Sequence, residues 1–581
     1  MPATVCRLAG GSACSGPWGG VAIGRTLLYT SVERKQGGDR MRTLSQVLDE
    51  TAQRFPDRPA VFYEGRMIPY RDLAAEVDRL AAGLVKLGIA PGDKVAIWMS
   101  NIPEWIAAYF AIAKAGAVVV PMNTRYRTHE LEYILANAEA KAVFLAQGFL
   151  GIDYAGMLGE VRSRLPLLRE VITVGGEAPG LRPYGDVLKL GEDEAAQAEV
   201  VRRGKGMDAH DCVFILYTSG TTGHPKGAML SHVNMAENAR QITEVMRVSE
   251  EDVFLLAVPF FHCFGCVMGI LGAVTWGAGV VPMPVFKADE ALRLIAKHKV
   301  SVLYGVPTMF VLELDEQRKA VAAGRPYDVS SLRTGIMAGA PCPVEVMRGT
   351  MEELGCNVCI CYGLTEASPV ITMTRFDDPI DKRVETVGKA LPGIEVRIVD
   401  DAHREVAPGE TGELACRGYN VMLGYWKNPQ ATRLVIDDEG WLYSGDLATL
   451  DEEGYVRIVG RKKDMYIVGG FNVYPAEIEE VLFTHPAVQN VSVVGVPDPV
   501  MGEVGMAFII PRDGHALDPQ EVVDFCARQI AAFKVPRYVI VGQDFPMTSS
   551  GKVQKYKLAE RGRELVASGQ AQRLEPRKPA R

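Results

Sequence analysis

Between Lys94 and Leu145 short apolar runs alternate with amphipathic ones, and that rhythm restricts the fold more than any single residue does. Lys94 to Met99 reads as a strand, Pro103 to Ala115 as a helix and Ala117 to Val120 as a strand. Glu130 to Ala140 then reads as a helix and Ala142 to Leu145 as a strand. A strand reached through a helix lies parallel to the one before it, so the series builds a parallel sheet with helices over its faces. Two apolar helix faces come first: Leu44, Val47, Leu48, Ala52 and Phe55, then Leu73, Val77, Leu80, Ala81, Leu84 and Leu87, closed by Gly88. The rhythm returns later and runs to about residue 390. The expected class is α/β, with a large N-terminal domain of two α/β blocks. Past Val387 the segments GIEVRIVD, GELACRG and GYVRIVG predict a small β-rich subdomain ending near Gly460. Strands at Val491 to Val496 and Met506 to Ile510, and a helix opened by Asp518-Pro519, predict a small α+β C-terminal domain.

Tyr217 to Gly227 reads YTSGTTGHPKG. Gly220, Gly223 and Gly227 let a backbone fold closely around a ligand, and Thr218, Ser219, Thr221, Thr222 and the Lys226 amine offer donors suited to a polyphosphate. The commonest nucleotide loop needs Gly-Lys-Ser/Thr in succession; here His224-Pro225 separates Gly223 from Lys226, so that template fails. Tyr362-Gly363-Leu364-Thr365-Glu366 brings a ring that can stack on a base, a hydroxyl for a phosphate and a carboxylate for Mg²⁺. Asp446, in Tyr443-Ser444-Gly445-Asp446, is an acceptor suited to a diol, and Arg461 follows in Gly460-Arg461-Lys462-Lys463-Asp464. Taken singly, each is an ordinary turn. Their weight comes from standing together in one chain.

With 581 residues the chain has room for more than one domain, and its net charge of -8 leaves no basic surplus for a nucleic-acid partner. The 11 cysteines are too few for a disulfide framework, which points to a reducing compartment and a cytoplasmic location. Cys263-x-x-Cys266 and Cys356-x-x-Cys359-x-Cys361 match no standard zinc spacing and read as buried thiols. Val253 to Phe286 carries no formal charge, but glycines and prolines interrupt it, so it predicts a buried helix and a buried strand rather than a transmembrane segment. Peripheral membrane contact and a homodimer stay open. Residues 1–40 lack periodicity and read as a disordered extension, either a transit peptide or sequence upstream of a start at Met41; residues 567–581 read as a disordered polar tail.

In their order these clusters resemble the signature of the adenylate-forming superfamily, and within it the AMP-binding fatty-acyl-CoA synthetases, over about residues 41 to 565. Pro259-Phe260-Phe261-His262-Cys263 and Leu303 to Phe310 resemble medium- to long-chain fatty-acyl-CoA ligases. The resemblance implies an AMP-binding domain over 41–460, a hinge at 461–464 with Lys463 as pivot, and a mobile C-terminal domain over 465–566. It implies ATP, Mg²⁺ and CoA as cofactor and co-substrates. Thr218, Ser219, Gly220, Thr221, Thr222, Gly223 and Lys226 would hold phosphates, and Thr218 and Glu366 the metal, with Thr365 and Glu366 counted as catalytic. Gly339, Ala340, Pro341, Tyr362 and Gly363 would border the adenine; Asp446 would take the ribose and Arg461 the nucleotide. Gly469 and Gly470 would leave a path for pantetheine. Lys552, in PMTSSGK, matches the catalytic lysine and a lysine acetyltransferase target. His262, Cys263, Cys266, Tyr304 and Gly305 would line the acyl pocket, with Cys266 standing where some long-chain relatives carry a tryptophan gate.

The implied reaction joins a small-molecule carboxylic acid to AMP with release of pyrophosphate, then passes the acyl group to CoA after the C-terminal domain turns. Three rivals remain at this point: a ligase for aromatic or alicyclic acids, an adenylating enzyme that loads a separate carrier protein, and a silent scaffold. The joint retention of Thr218, Lys226, Glu366, Asp446, Arg461 and Lys552 argues against the last.

Overall fold

The computed structural model describes residues 41–176, 180–218, 225–339, 342, 344–469, 471–512, 514–547 and 553–577. The expected extension at 1–40 lies outside them. Among the described residues the strands form an eight-stranded, a nine-stranded, a four-stranded and a five-stranded sheet, besides a two-stranded hairpin. The chain is a mixed α/β protein with a large N-terminal and a smaller C-terminal part.

The eight-stranded sheet holds the predicted strands as Lys94–Trp98, Val118–Pro121 and Ala140–Ala146, all parallel, with helices Pro103–Lys114 and Thr128–Asn137 between them. The nine-stranded sheet runs through Asn357–Gly363, Thr334–Met337, Val302–Gly305, Val253–Leu256 and Gly279–Pro282, again parallel. The two blocks exchange strands. Pro59–Tyr63 pairs with Gly279–Pro282, Val61 opposite Val280, so an early strand completes the later sheet. Conversely Gly424–Tyr425, from far downstream, closes the eight-stranded sheet against Lys226–Ser231. Periodicity reports a strand's existence but not its partner, which is why the exchange is invisible in sequence.

Asn101 links the sheets. It is 4 % exposed, donates to the carbonyls of Leu256, Val258 and Met283 at 2.9–3.2 Å, and accepts from Phe260 N at 2.9 Å. A buried amide must find such partners, and here they fix the Pro259-Phe260 turn that leads to His262.

The β-rich unit comprises Ile394–Val399, Gly412–Gly418, Leu442–Leu450 and Val456–Arg461. Arg397 and Arg417 lie over the Trp441 ring, at 3.9 and 4.6 Å from its centroid. The C-terminal sheet is built on the antiparallel pair Val488–Asp498 and Gly502–Pro511, with a core of its own around Val493, Met506 and Ile509. After helix Lys555–Ala567, residues 568–577 are held against the C-terminal sheet and its helix, where the polar composition predicts a free tail. Leu574 N donates to Arg537 O at 2.8 Å, Arg577 N donates to Asp524 Oδ1 at 2.8 Å, and Arg573 Nε donates to Asp498 Oδ2 at 2.8 Å. Burial pushes the Asp498 carboxyl up, but Arg573 and two backbone N–H groups outweigh it and leave the group below its ordinary value. A charged segment docks here because a buried carboxylate awaits it. Among the described residues no helix is long and apolar enough to cross a membrane.

Candidate active site

Strand Cys212–Thr218 and strand Lys226–Ser231 are antiparallel, with Thr218 opposite Lys226, so the glycine-rich stretch joins the two arms of a hairpin. Gly227 is required there, because a Cβ would stand 2.7 Å from Ile215 Cγ2 and 3.2 Å from Tyr217 Cζ. Ser231 caps the next helix, accepting from Asn234 N at 3.1 Å, as its position in the sequence leads one to expect. On the other side of Lys226–Ser231 lies Gly424–Tyr425, pinned by Trp426 N donating to Gly227 O at 2.7 Å.

Glu366 sits on the short turn Thr365–Ala367 that follows strand Asn357–Gly363. The chain doubles back so tightly that a Cβ on Gly363 would lie 1.8 Å from Pro369 O. Two hydroxyls from other strands approach one oxygen of this carboxylate: Tyr425 donates to Glu366 Oε1 at 2.8 Å, and the Thr218 hydroxyl lies 3.4 Å from it and 3.4 Å from Lys226 O. The Lys226 ammonium lies 5.3 Å from the centroid of the same Tyr425 ring. Burial first, and the Glu366 carboxylate second, push the Tyr425 hydroxyl up, so it stays a donor. Tyr425 is the member that sequence reasoning missed. A two-residue edge strand carries no periodic signal, and nothing local ties it to Glu366.

A second polar set stands on the β-rich unit. Tyr362 donates to Asp446 Oδ2 at 2.6 Å, and Arg461 Nε lies 3.2 Å from Asp446 Oδ1, the two residues facing each other across paired strands. Burial, reinforced by Asp446, raises the Tyr362 hydroxyl well above its ordinary value. The Arg461 side chain is 53 % exposed, so the pair aims the aspartate more than it stabilises the fold. Gly445, at φ +74°, donates its N–H to Glu413 Oε1 at 2.9 Å, while Glu413 Oε2 lies 3.1 Å from Lys462 Nζ. Lys463 is exposed in the turn that follows, where Asp464 N and Met465 N both donate to Arg461 O. Gly469, at φ +55°, donates to Met501 O at 2.9 Å.

The expected acyl-side residues lie beneath this. His262 is half-buried and its Nδ1 accepts from Phe264 N at 3.2 Å. Cys263 and Cys266 are fully buried. Burial and the neighbouring Glu366 push the Cys263 thiol up to about 12, against a hydrogen bond with Thr365. The uncharged stretch forms the π-helix Phe264–Leu271 and then the strand Gly279–Pro282. Its glycines permit close approach: a Cβ on Gly265 would lie 2.2 Å from Pro259 O, and one on Gly269 2.8 Å from a Leu256 methyl. Tyr304 is 1 % exposed, its hydroxyl 3.4 Å from Met246 Sδ and its ring 5.5 Å from that of Phe264. It is a core residue in this packing. Gly305 sits at the end of the same strand, where a Cβ would lie 3.1 Å from the Phe310 ring.

Gly339, at φ +91°, follows strand Thr334–Met337. Ser219, Gly220, Thr221, Thr222, Gly223, Ala340, Pro341, Gly470 and Lys552 lie outside the described residues.

Two family models match this chain: that of the AMP-binding enzyme over residues 48–426 and that of the AMP-binding enzyme C-terminal domain over residues 477–552. YngI of Bacillus subtilis, which carries the name of an acyl-CoA synthetase, is 46 % identical over 542 residues, 90 % of this chain and 97 % of that one. The mitochondrial medium-chain acyl-CoA ligase ACSF2 of Macaca fascicularis is 37 % identical over 541 residues, 89 % of this chain and 87 % of that one. Among solved structures, the anthranilate CoA ligase AuaEII in complex with anthranoyl-AMP superposes with a TM-score of 0.81 at 28 % identity, covering 91 % of this chain and 99 % of that one.

Proposed function

The chain belongs to the AMP-binding enzyme family, and on that premise we propose that it activates a medium- to long-chain fatty acid with ATP and passes the acyl group to CoA. The observation that carries this reading is the convergence of Thr218 and Lys226, facing each other across one hairpin, with Glu366 from a stretch almost 150 residues later. An acid–CoA ligase is the class its relatives name, and the ACSF2 name supplies the medium chain. The uncharged stretch around the half-buried His262 suits an alkyl chain, which gains about 0.8 kcal/mol per buried methylene.

In the first step a carboxylate oxygen attacks the α-phosphorus of ATP, the bond to the bridging oxygen breaks, and pyrophosphate leaves with that electron pair. The protein's task is to align two anions and neutralise charge. Lys226 meets only the Tyr425 ring among the described residues, so its ammonium is available to a phosphate. The Glu366 Oε2 atom accepts no hydrogen bond among the described residues, and a single carboxylate of this kind fits Mg²⁺, which binds through one or two carboxylates plus substrate phosphates. When bound there, beside Thr218, the ion neutralises the polyphosphate. Asp446 accepts from the ribose hydroxyls, and Tyr362 and Arg461 hold it in place. Lys552 bridges the carboxylate and the α-phosphate. The C-terminal part then turns at Lys463, and the CoA thiolate attacks the acyl carbonyl carbon, with AMP as leaving group.

Pyrophosphate release measured with a panel of acids, with and without CoA, tests the reading. Turnover should be greatest with medium or long alkyl acids and should yield thioester only with CoA. The likeness to an anthranilate CoA ligase gives a second reading, an aromatic acid. Preference for benzoate-type acids would establish it in place of the first.

A further inference from the structure

We propose that Tyr425 is a positioning residue for the nucleotide's metal. It rests on the adenylating reading of this site, and its argument is geometric. The hydroxyl donates to Glu366 Oε1 at 2.8 Å, shorter than the 3.4 Å contact from Thr218 to the same atom. Tyr425 therefore occupies that oxygen, with the Thr218 hydroxyl beside it, and the other oxygen is left to a cation. A carboxylate on a short turn would otherwise rotate and offer either oxygen. Tyr425 can do this because the short segment that carries it is anchored at three points. Ala228 faces it across the strand pair, Thr432 Oγ1 accepts from its N–H at 2.9 Å, and its neighbour Trp426 donates Nε1 to Asn137 O at 2.9 Å. The same ring lies 5.3 Å from the Lys226 ammonium, so one side chain aligns the anionic and the cationic arms of the site.

Tyr425→Phe removes the hydroxyl and keeps the ring, whereas Tyr425→Leu removes both. Calorimetric titration of the full-length protein with Mg·ATP, and with ATP in excess chelator, separates metal-dependent from metal-independent binding. For Tyr425→Phe the Mg·ATP dissociation constant should rise by about tenfold, as for loss of a hydrogen bond to a charged group, while metal-free ATP binding stays within about twofold. The Mg²⁺ concentration giving half-maximal acyl-AMP formation should rise in parallel. Tyr425→Leu should weaken both forms of ATP, because Lys226 loses its aromatic neighbour. Unchanged Mg·ATP binding in Tyr425→Phe overturns the proposal. So does an equal loss of both forms together with a lowered melting temperature, which marks a role in the fold alone. If the wild-type protein binds Mg·ATP but releases no pyrophosphate with any acid, the adenylating reading fails, and the titrations still decide the role of Tyr425.

Discussion

Around Glu366 separate strands meet through hydroxyls and a carboxylate, whereas around His262 the chain packs through rings, glycines and thiols. The two regions influence each other, since the Glu366 carboxylate helps burial to raise the Cys263 thiol. Yet they answer to different physics. Directional bonds demand particular atoms at particular places, so the nucleotide side is spelled out by residue type. Burial is non-directional and roughly proportional to area, so many apolar residues would serve on the acyl side.

The sharpest break between the regions is a pair of substitutions that divides the half-reactions. Lys552→Ala should lower acyl-AMP formation by about 10²–10³-fold, the cost of one preorganised charge contact, and still convert supplied acyl-AMP and CoA to thioester. Lys463→Pro should do the reverse, because proline fixes φ near roughly -65° and holds the turn in one state. Single-turnover kinetics of each half-reaction decide it; equal impairment in both variants would abolish the division of labour.

A smaller effect is expected at Asp446. Asp446→Asn keeps an acceptor for Tyr362 but loses the charge facing Arg461, and should raise the KM for ATP by about tenfold while leaving the order of preference among acids unchanged. A reordered acid profile would mean that the two sides are not separable. The converse probe is Cys266→Ala, on a side chain with 0 % exposure. On the proposed reading Cys266 backs the acyl site, and loss of its sulfur should shift kcat/KM between neighbouring chain lengths by roughly 10-fold at most, since a methylene discriminates weakly. The KM for ATP should not move.

The smallest effect on activity is a stability change in the core beyond the acyl side. Glu313 is 2 % exposed on helix Pro307–Ala322, and its Oε2 has no hydrogen-bond partner among the described residues. Burial raises its carboxyl from 4.5 to about 8. Because the folded value lies above the unfolded one, its favourable contribution is complete below about 4.5 and is lost as pH rises toward 8. Glu313→Gln should therefore gain melting temperature over wild type between pH 5 and pH 8, by roughly 2–4 °C or more. A constant difference across that range would show that Glu313 does not titrate in the folded protein.

How far the sequence could be read follows the same division. The grouping of Thr218 and Lys226 with Glu366, and of Tyr362 and Arg461 with Asp446, is legible in the motifs, since the residues that those motifs single out are the ones the structure brings side by side. Tyr425 is not, since its meaning depends on an edge pairing with a strand almost 200 residues earlier in the chain. Tyr304 shows the limit on the apolar side: the segment is recognisable, but whether a tyrosine faces a ligand or Met246 is decided by packing. Parallel strands and their helices were legible from periodicity. The exchange of strands between sheets and the docking of Arg573 on Asp498 were not, because both depend on partners distant in sequence.

The exchange has a consequence for how this chain comes off the ribosome. Val61 leaves the exit tunnel early, yet its partner Val280 does not exist until much later. At ordinary rates of synthesis a gap of roughly 200 residues lasts on the order of ten seconds or more, far longer than a hairpin needs to form. During that interval the strand Pro59–Tyr63, paired only with Arg66–Pro69, has an open edge whose natural complement is still unmade. The nascent chain is thus most exposed to chaperone capture or to misplaced pairing while its first sheet is already half built, and a pause in translation before residue 280 would lengthen that exposure.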